Sequence, residues 1–145
     1  MPVNPVPGRF AVVGADDAAT LGPANAARYA PYVRVLESVD AHALVQAYVR
    51  AYPLFQRAYE ELGYSGQYFN DRVVDALDDL LASPAVEGPI KLAQSKVLYE
   101  FADPELEGRS AGQKIMIRMG TDNASRVKAK LRAIREELLA ASKRP

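Results

Sequence analysis

Residues 40–63, DAHALVQAYVRAYPLFQRAYEELG, carry the most regular pattern in the chain. Apolar side chains recur there in steps of three and four residues, at Val45, Tyr48, Tyr52, Phe55, Tyr59 and Leu62. This spacing places them on one face of an α-helix, for which Asp40 is a suitable N-cap and Gly63 a suitable C-cap. We expect this face to pack as one seam against the last helix of the chain. Pro53 should bend the segment or divide it into two helices, because proline cannot donate to the preceding turn.

Further helices are predicted on both sides of this segment. Residues 23–37 are rich in alanine, a strong helix former, although Pro31 should kink or restart that helix. Another helix should begin near Asn70 and end at Ser83. The pattern also favours helices over residues 110–119 and 121–142. The buried stripe of the last helix is predicted to comprise Val127, Leu131, Ile134 and Leu138.

Two short β-strands are predicted, near 9–13 and 97–101, where β-branched and aromatic residues cluster. We expect these two strands to pair with each other. The fold class is therefore mainly α, a single helical domain with two short strands. Residues 1–22 form an extended lead-in that contains the first strand, and residues 23–145 form the helical domain. An unpaired strand edge could join a second copy of the chain, so a homo-oligomer is one expected assembly.

The composition is that of one soluble globular domain, with 145 residues, 49% of them hydrophobic and 25% charged. Since the chain has no cysteine, it forms no disulfide and offers no thiolate ligand. A single histidine, His42, excludes metal sites built from several histidines. We therefore expect neither a bound metal nor a cofactor.

The charges are balanced in number but not in position. Lys plus Arg and Asp plus Glu both count 18. Residues 1–108 hold 8 basic and 15 acidic groups, whereas residues 109–145 hold 10 basic and 3 acidic groups. The basic end suggests an anion-binding alternative, for nucleic acid or lipid headgroups, through Lys114, Arg118, Arg126, Lys128 and Arg132. Pairing of these cations with acidic groups of the same chain is favoured over binding to nucleic acid, which is not an expected partner.

An acidic row lies on the predicted helix after Asn70. It consists of Asp71, Asp75, Asp78 and Asp79. Their spacing places them on neighbouring positions of one helix face, which amphipathicity alone explains. A hydrolase-like enzyme that uses Asp71, Asp75 and His42 is nevertheless a second alternative, because an unperturbed imidazole titrates near neutral pH.

The turn before that helix is rich in aromatic residues and is the best candidate for a partner-binding surface. The candidate residues are Tyr64, Tyr68, Asn70, Asp71 and Arg72. Tyrosine rings are amphipathic anchors, and turns held between rigid helices are common binding sites. The competing interpretation is that the rings close the end of the helical core. The sequence thus favours a non-enzymatic interaction or scaffold domain with a protein partner of unknown identity.

Several short motifs resemble an uncharacterised bacterial protein family of unknown function. They are YPLFQ (52–56), AYEELGY (58–64), YFNDR (68–72), FADP (101–104), SAGQK (110–114) and RMG (118–120). In that family one membrane-spanning helix usually precedes a soluble domain. The resemblance implies that this chain is the C-terminal soluble part of a membrane-anchored protein of the cell envelope, on the periplasmic side. It implies no activity, cofactor or catalytic residue.

Overall fold

The computed structural model describes residues 6–95 and 98–142, and this part of the chain is mainly helical. The strands are β1 (Val12–Val13), β2 (Thr20–Leu21), β3 (Leu92–Ser95) and β4 (Leu98–Phe101). The helices are α1 (Ala24–Ser38), α2 (Ala41–Glu61), α3 (Phe69–Leu81), α4 (Pro104–Glu107), α5 (Ala111–Arg118) and α6 (Thr121–Ser142). The predicted class, a helical domain with short strands, is confirmed.

The helix ends follow the local capping chemistry of the sequence. Asp40 caps α2 by accepting a hydrogen bond from the Ala43 N–H at 2.7 Å. Ser110 caps α5 in the same way, accepting from the Gln113 N–H at 3.1 Å. Of the two effects predicted for the helical prolines, a break in the helix is wrong, whereas a bend stays a prediction. Both α1 and α2 continue as single helices past Pro31 and Pro53.

The main core lies where α6 packs against α1, α2, α3 and α5. Its buried side chains are Val33, Val45, Leu77, Met116, Met119, Val127, Leu131 and Leu138. Three of the four residues predicted as the stripe of α6 are in this set, and Ile134 packs against it. The central position of α6 explains why its charged side chains reach α1, α2 and α3.

The strands pair differently from the prediction. β1 pairs with β2, with Val12 opposite Leu21, and β3 pairs with β4, with Leu92 opposite Phe101; both pairs are antiparallel. The prediction that the first strand pairs with the strand at 97–101 is wrong, because each finds a nearer partner in the chain. Residue 97 itself lies outside the described residues.

Helix α5 contributes side chains both to the helical core and to the core beneath the strands. A second, smaller core joins Ala19, Leu92, Phe101 and Ile117. Ile117 of α5 faces this core, whereas the preceding residue, Met116, faces the helical core. The Leu92 N–H donates to the Ala19 carbonyl at 2.9 Å, so the lead-in is hydrogen-bonded to β3. The domain boundary at residue 22 stays a prediction.

The aromatic seam of α2 packs on α6 only along its first half. Val45 is buried in the helical core, but Leu62, at the other end of the stripe, is 76% exposed. Between them, Phe55 and Tyr59 pack against Phe69 of α3. The expectation of one continuous seam against the last helix is therefore wrong. The aromatic rings near the end of α2 pack on α3 instead.

Among the residues that the structure describes, none of the helices combines the length and the apolar character that crossing a membrane requires.

Candidate functional site

The turn that joins α2 to α3, residues 62–68, is fastened by one side chain of α2. Gln56 donates from Nε2 to the Gln67 carbonyl at 2.8 Å and accepts the Phe69 N–H on Oε1, also at 2.8 Å. Oε1 accepts in addition from the Tyr52 hydroxyl at 3.0 Å. Gln56 therefore holds the last residues of the turn and the start of α3 in a fixed position on α2.

Aromatic rings fill the space beneath this turn. Phe69 is the central ring, with centroids 5.6 Å from those of Phe55 and Tyr59. Tyr59 stacks in turn on Tyr64, with a centroid separation of 4.4 Å and only 6° between the planes. Such offset and edge contacts stabilise an aromatic cluster beyond the burial of its area. The rings that support the surface are thus mutually packed.

Two grooves flank Tyr68 above this aromatic cluster. The first has a volume of about 450 Å³. It is lined by a set that we call the tyrosine surface: Tyr59, Tyr64, Tyr68, Asp71, Arg72 and Asp75. The second groove, of about 330 Å³, lies between Tyr52 of α2 and Leu138 of α6. Tyr68 lines both grooves and is 66% exposed, so it forms the ridge between them.

The charges of the first groove are free for a ligand. Within the described part of the chain, the side chains of Asp71, Arg72 and Asp75 make no hydrogen bond or ion pair, and together they carry a net charge of −1. The second groove is less polar. There Tyr48 donates to Asn70 Oδ1 at 3.3 Å, and burial, with a smaller effect of Tyr52, raises the pKa of Tyr48 to about 12. Tyr48 therefore remains a neutral phenol at physiological pH.

The structure brings the predicted partner-binding residues together. Tyr64, Tyr68, Asp71 and Arg72 line the first groove, and Asn70 lines the second. Tyr64 and Tyr68 are both exposed, whereas rings that closed the end of the helical core would be buried. Sequence reasoning missed Gln56 and assigned Tyr59 to the buried seam. The spacing of Tyr52, Gln56 and Glu60, four residues apart on one helix face, was the available signal, since these side chains are hydrogen-bonded in series.

The basic residues of the anion-binding alternative are not gathered on one free surface. Lys114 pairs with Glu107 at 2.6 Å, and Arg118 lies 5.2 Å above the ring of Phe101. Arg126 pairs with Glu37 of α1, an acidic group of the same chain. Lys128 and Arg132 remain without a carboxylate partner among the described residues.

The acidic row is divided among different contacts. Asp78 pairs with Arg135 at 2.6 Å, as intramolecular neutralisation predicts, and Asp79 accepts from Ser110 at 2.6 Å. His42 pairs with Glu137 of α6 at 2.8 Å and is not among the residues of the groove that Asp71 and Asp75 line. The three residues of the hydrolase-like alternative are thus not brought together. Within residues 6–95 and 98–142, no three His, Asp or Glu side chains are placed to hold a metal ion.

The fold and the site together define a small, mainly helical domain with an exposed tyrosine surface at the end of a helical hairpin. A family model described as "Protein of unknown function (DUF3014)" matches residues 1–135, and the chain belongs to this family. No curated protein and no solved structure is significantly similar to the chain. The expectation of a family of unknown function is confirmed, whereas the family motifs and the membrane anchor stay predictions.

Proposed function

We propose that this protein is a non-enzymatic interaction domain, and that its tyrosine surface binds an extended segment of a partner protein. The observation that carries the proposal is the ridge of Tyr68, which is largely exposed between two grooves although the rings beneath it are packed. Tyrosine loses little side-chain entropy on binding and is enriched among the residues that dominate interface energetics.

The two grooves indicate what the partner segment contains. The first groove, with the carboxylates of Asp71 and Asp75 beside tyrosine rings, favours a lysine or arginine side chain. The second groove offers Tyr52, Val49 and Leu138 to an apolar side chain. We therefore infer a partner segment in which a basic and an apolar residue lie on opposite sides of Tyr68.

Selection from a displayed library of random peptides tests this proposal. We expect enriched peptides to combine a basic with an apolar residue. Their affinity should fall at least about tenfold for Tyr68→Ala, as expected for a central aromatic contact. Tyr32→Ala is the matched control, because Tyr32 is 52% exposed on α1, away from the grooves. Failure to enrich any peptide, or equal binding by Tyr68→Ala and the wild type, contradicts the proposal.

We further propose a place at the cell envelope, on the periplasmic side, for this domain. The support is the resemblance of its motifs to bacterial proteins that carry a membrane-spanning helix before a soluble domain. Protease treatment of intact and of lysed spheroplasts that express the full-length gene product tests the side of the membrane. Cleavage of the domain in intact spheroplasts supports the periplasmic side, and protection until lysis contradicts it.

Homo-oligomerisation through an edge strand also stays a proposal. The outer edge of β4 carries Leu98, which is 72% exposed. On that strand the Phe101 N–H already donates to Glu107 Oε2 at 2.9 Å, which leaves fewer donors for a second copy. Light scattering over a range of concentrations tests the proposal. A dimer that Leu98→Lys dissociates supports it, and a monomer throughout contradicts it.

A further inference from the structure

A pocket of about 160 Å³ lies between α5, α6 and the loop that follows α3. Its polar wall consists of four side chains of α6: Thr121, Ser125, Lys128 and Arg132. They are spaced four, three and four residues apart, so they lie on one face of the helix. Two hydroxyl groups and two cations therefore line the same wall of one small pocket.

The opposite wall is apolar. It is formed by Val86 of the loop and by Met116 and Ile117 of α5. Met116 and Ile117 are buried and belong to the two hydrophobic cores, so this wall is fixed by the packing of the fold. The pocket thus presents hydrogen-bond donors and positive charge on one side and hydrocarbon on the other.

The positive charge of this pocket is not neutralised. The other basic residues of α6 up to Arg135 have oxygen partners: Arg126 pairs with Glu37, Lys130 donates to the Val39 carbonyl, and Arg135 pairs with Asp78. Arg132 has no partner within the described part of the chain, and no carboxylate is among the residues that line the pocket.

Lys128 is already partly desolvated. Its ammonium group donates one hydrogen bond to the Ser83 carbonyl and has two further N–H groups. Burial, with the nearby charge of Arg132 as a smaller cause, lowers the pKa of Lys128. An anion bound between Lys128 and Arg132 would offset the repulsion between these two cations and would accept hydrogen bonds from both.

We propose that this pocket binds a carboxylate that carries a short apolar group. A carboxylate has two oxygens for the two cations, and arginine binds it in a bidentate geometry. A phosphate dianion fits less well, since its larger charge would be desolvated against the hydrocarbon wall. A small free acid and the last residue of a polypeptide share this chemistry, and both are within the proposal.

Titration with isovalerate, followed by amide chemical shifts in NMR spectra, tests the site. We expect saturable shifts at Gly120, Thr121 and Ala124, and none with the uncharged 3-methylbutan-1-ol. Arg132→Gln should weaken binding about tenfold, as expected for one charge-assisted contact. Arg50→Gln makes the same change in net charge at an exposed residue of α2, away from the pocket, and should have no effect.

Three outcomes overturn the proposal: no saturable shift at these amides, equal weakening by Arg132→Gln and Arg50→Gln, or binding of inorganic phosphate as tight as that of isovalerate. Because Arg132 is exposed, its variant folds even if Lys128→Gln does not. A short peptide that ends in valine, with a free or an amidated C-terminus, separates the two sources. Tighter binding of the free peptide than of isovalerate assigns a polypeptide terminus, and equal or weaker binding assigns a free acid.

Discussion

Asn25 fixes the N-terminal segment to α1, although a polar side chain that is only 1% exposed is costly unless all its groups are bonded. Its Oδ1 accepts from the Ala11 N–H at 3.0 Å, and its Nδ2 donates to the Ala11 carbonyl at 2.7 Å and to the Gly22 carbonyl at 2.9 Å. Arg28 donates to the same Oδ1 at 3.1 Å. The side chain thus supplies the acceptor for the Ala11 N–H, and it adds a second donor to two carbonyls that already accept from the Gly22 and Asn25 backbone N–H groups.

We expect Asn25→Ala to lower the free energy of unfolding by about 2 kcal/mol, because it leaves the Ala11 N–H without its acceptor and removes two further side-chain hydrogen bonds. Urea denaturation measures the change. Gln94→Ala is the control, since Gln94 is an exposed amide on β3 and its loss should cost less than about 0.5 kcal/mol. Similar values for the two variants would show that Asn25 does not organise this segment.

The sequence indicated the exposed residues of the candidate site but not Gln56, the side chain that holds them in place. Tyr64, Tyr68, Asp71 and Arg72 were found from the residue types of one turn, which is local information. The role of Gln56 depends on its bonds to Gln67 and Phe69, residues 11 and 13 positions away, and these exist only when α3 folds back on α2. A side chain whose partners are set by tertiary structure carries little signal in its own neighbourhood.

At the scale of elements, periodicity located the helices, and the prolines do not interrupt them. In α2, Pro53 removes one backbone hydrogen bond, which in an isolated helix would cost roughly 3 kcal/mol. Packing of Val45 in the core before it, and of Tyr59 on Phe69 after it, keeps both halves in one helix. Tertiary burial thus outweighs local propensity.

The strands were predicted less well for a different reason. β1 and β2 contain two residues each, too few for an alternating pattern to identify a partner. Their pairing depends on the short loop between them, in which Gly14 has φ 83°. The nearest strand in the chain becomes the partner because closing a short loop costs least entropy.

Gly14 and Gly88 form a matched pair for testing that loop. Both have left-handed backbone angles, with φ 83° and 85°. A Cβ at Gly14 would overlap the carbonyl oxygen of Ala18, whereas a Cβ at Gly88 meets nothing within 4 Å. Gly88→Ala should therefore cost about 1 kcal/mol, the conformational penalty alone, and Gly14→Ala more than about 2 kcal/mol. Thermal denaturation of both variants measures the difference, and equal costs would contradict the overlap.

At the scale of the whole molecule, the charge asymmetry of the sequence becomes a set of contacts with the central helix. Arg126 joins α6 to Glu37 of α1 at 2.8 Å, and Arg135 joins it to Asp78 of α3 at 2.6 Å. Glu137 joins it to His42 of α2 at 2.8 Å. The basic C-terminal third therefore neutralises acidic groups within the fold, whereas Lys128 and Arg132 at the pocket have no carboxylate partner among the described residues.

These pairs predict how stability depends on pH. The hydrogen bonds from Arg126 and Arg135 lower the pKa of Glu37 and of Asp78, and those from Lys114 and the Phe101 N–H lower that of Glu107. A carboxyl group whose pKa is lower in the folded state stabilises the fold when ionised. Its contribution is complete above its unfolded pKa and is lost as pH falls through the folded pKa. The melting temperature should therefore be level from about pH 7 to 5 and fall below about pH 4.

The slope of the melting temperature against pH tests whether a particular ion pair causes the loss of stability in acid. Arg135→Gln removes the partner that lowers the pKa of Asp78, so its melting temperature should decline less steeply between about pH 4 and 2 than that of the wild type. Arg50→Gln removes the same charge from a side chain without a partner in the described residues, and its curve should run parallel to the wild type. High salt should reduce the difference, because both Arg135 and Asp78 are partly exposed. If the Arg135→Gln curve also ran parallel, the ion pair would contribute nothing to acid sensitivity, and α6 would be held to α3 by its apolar contacts alone.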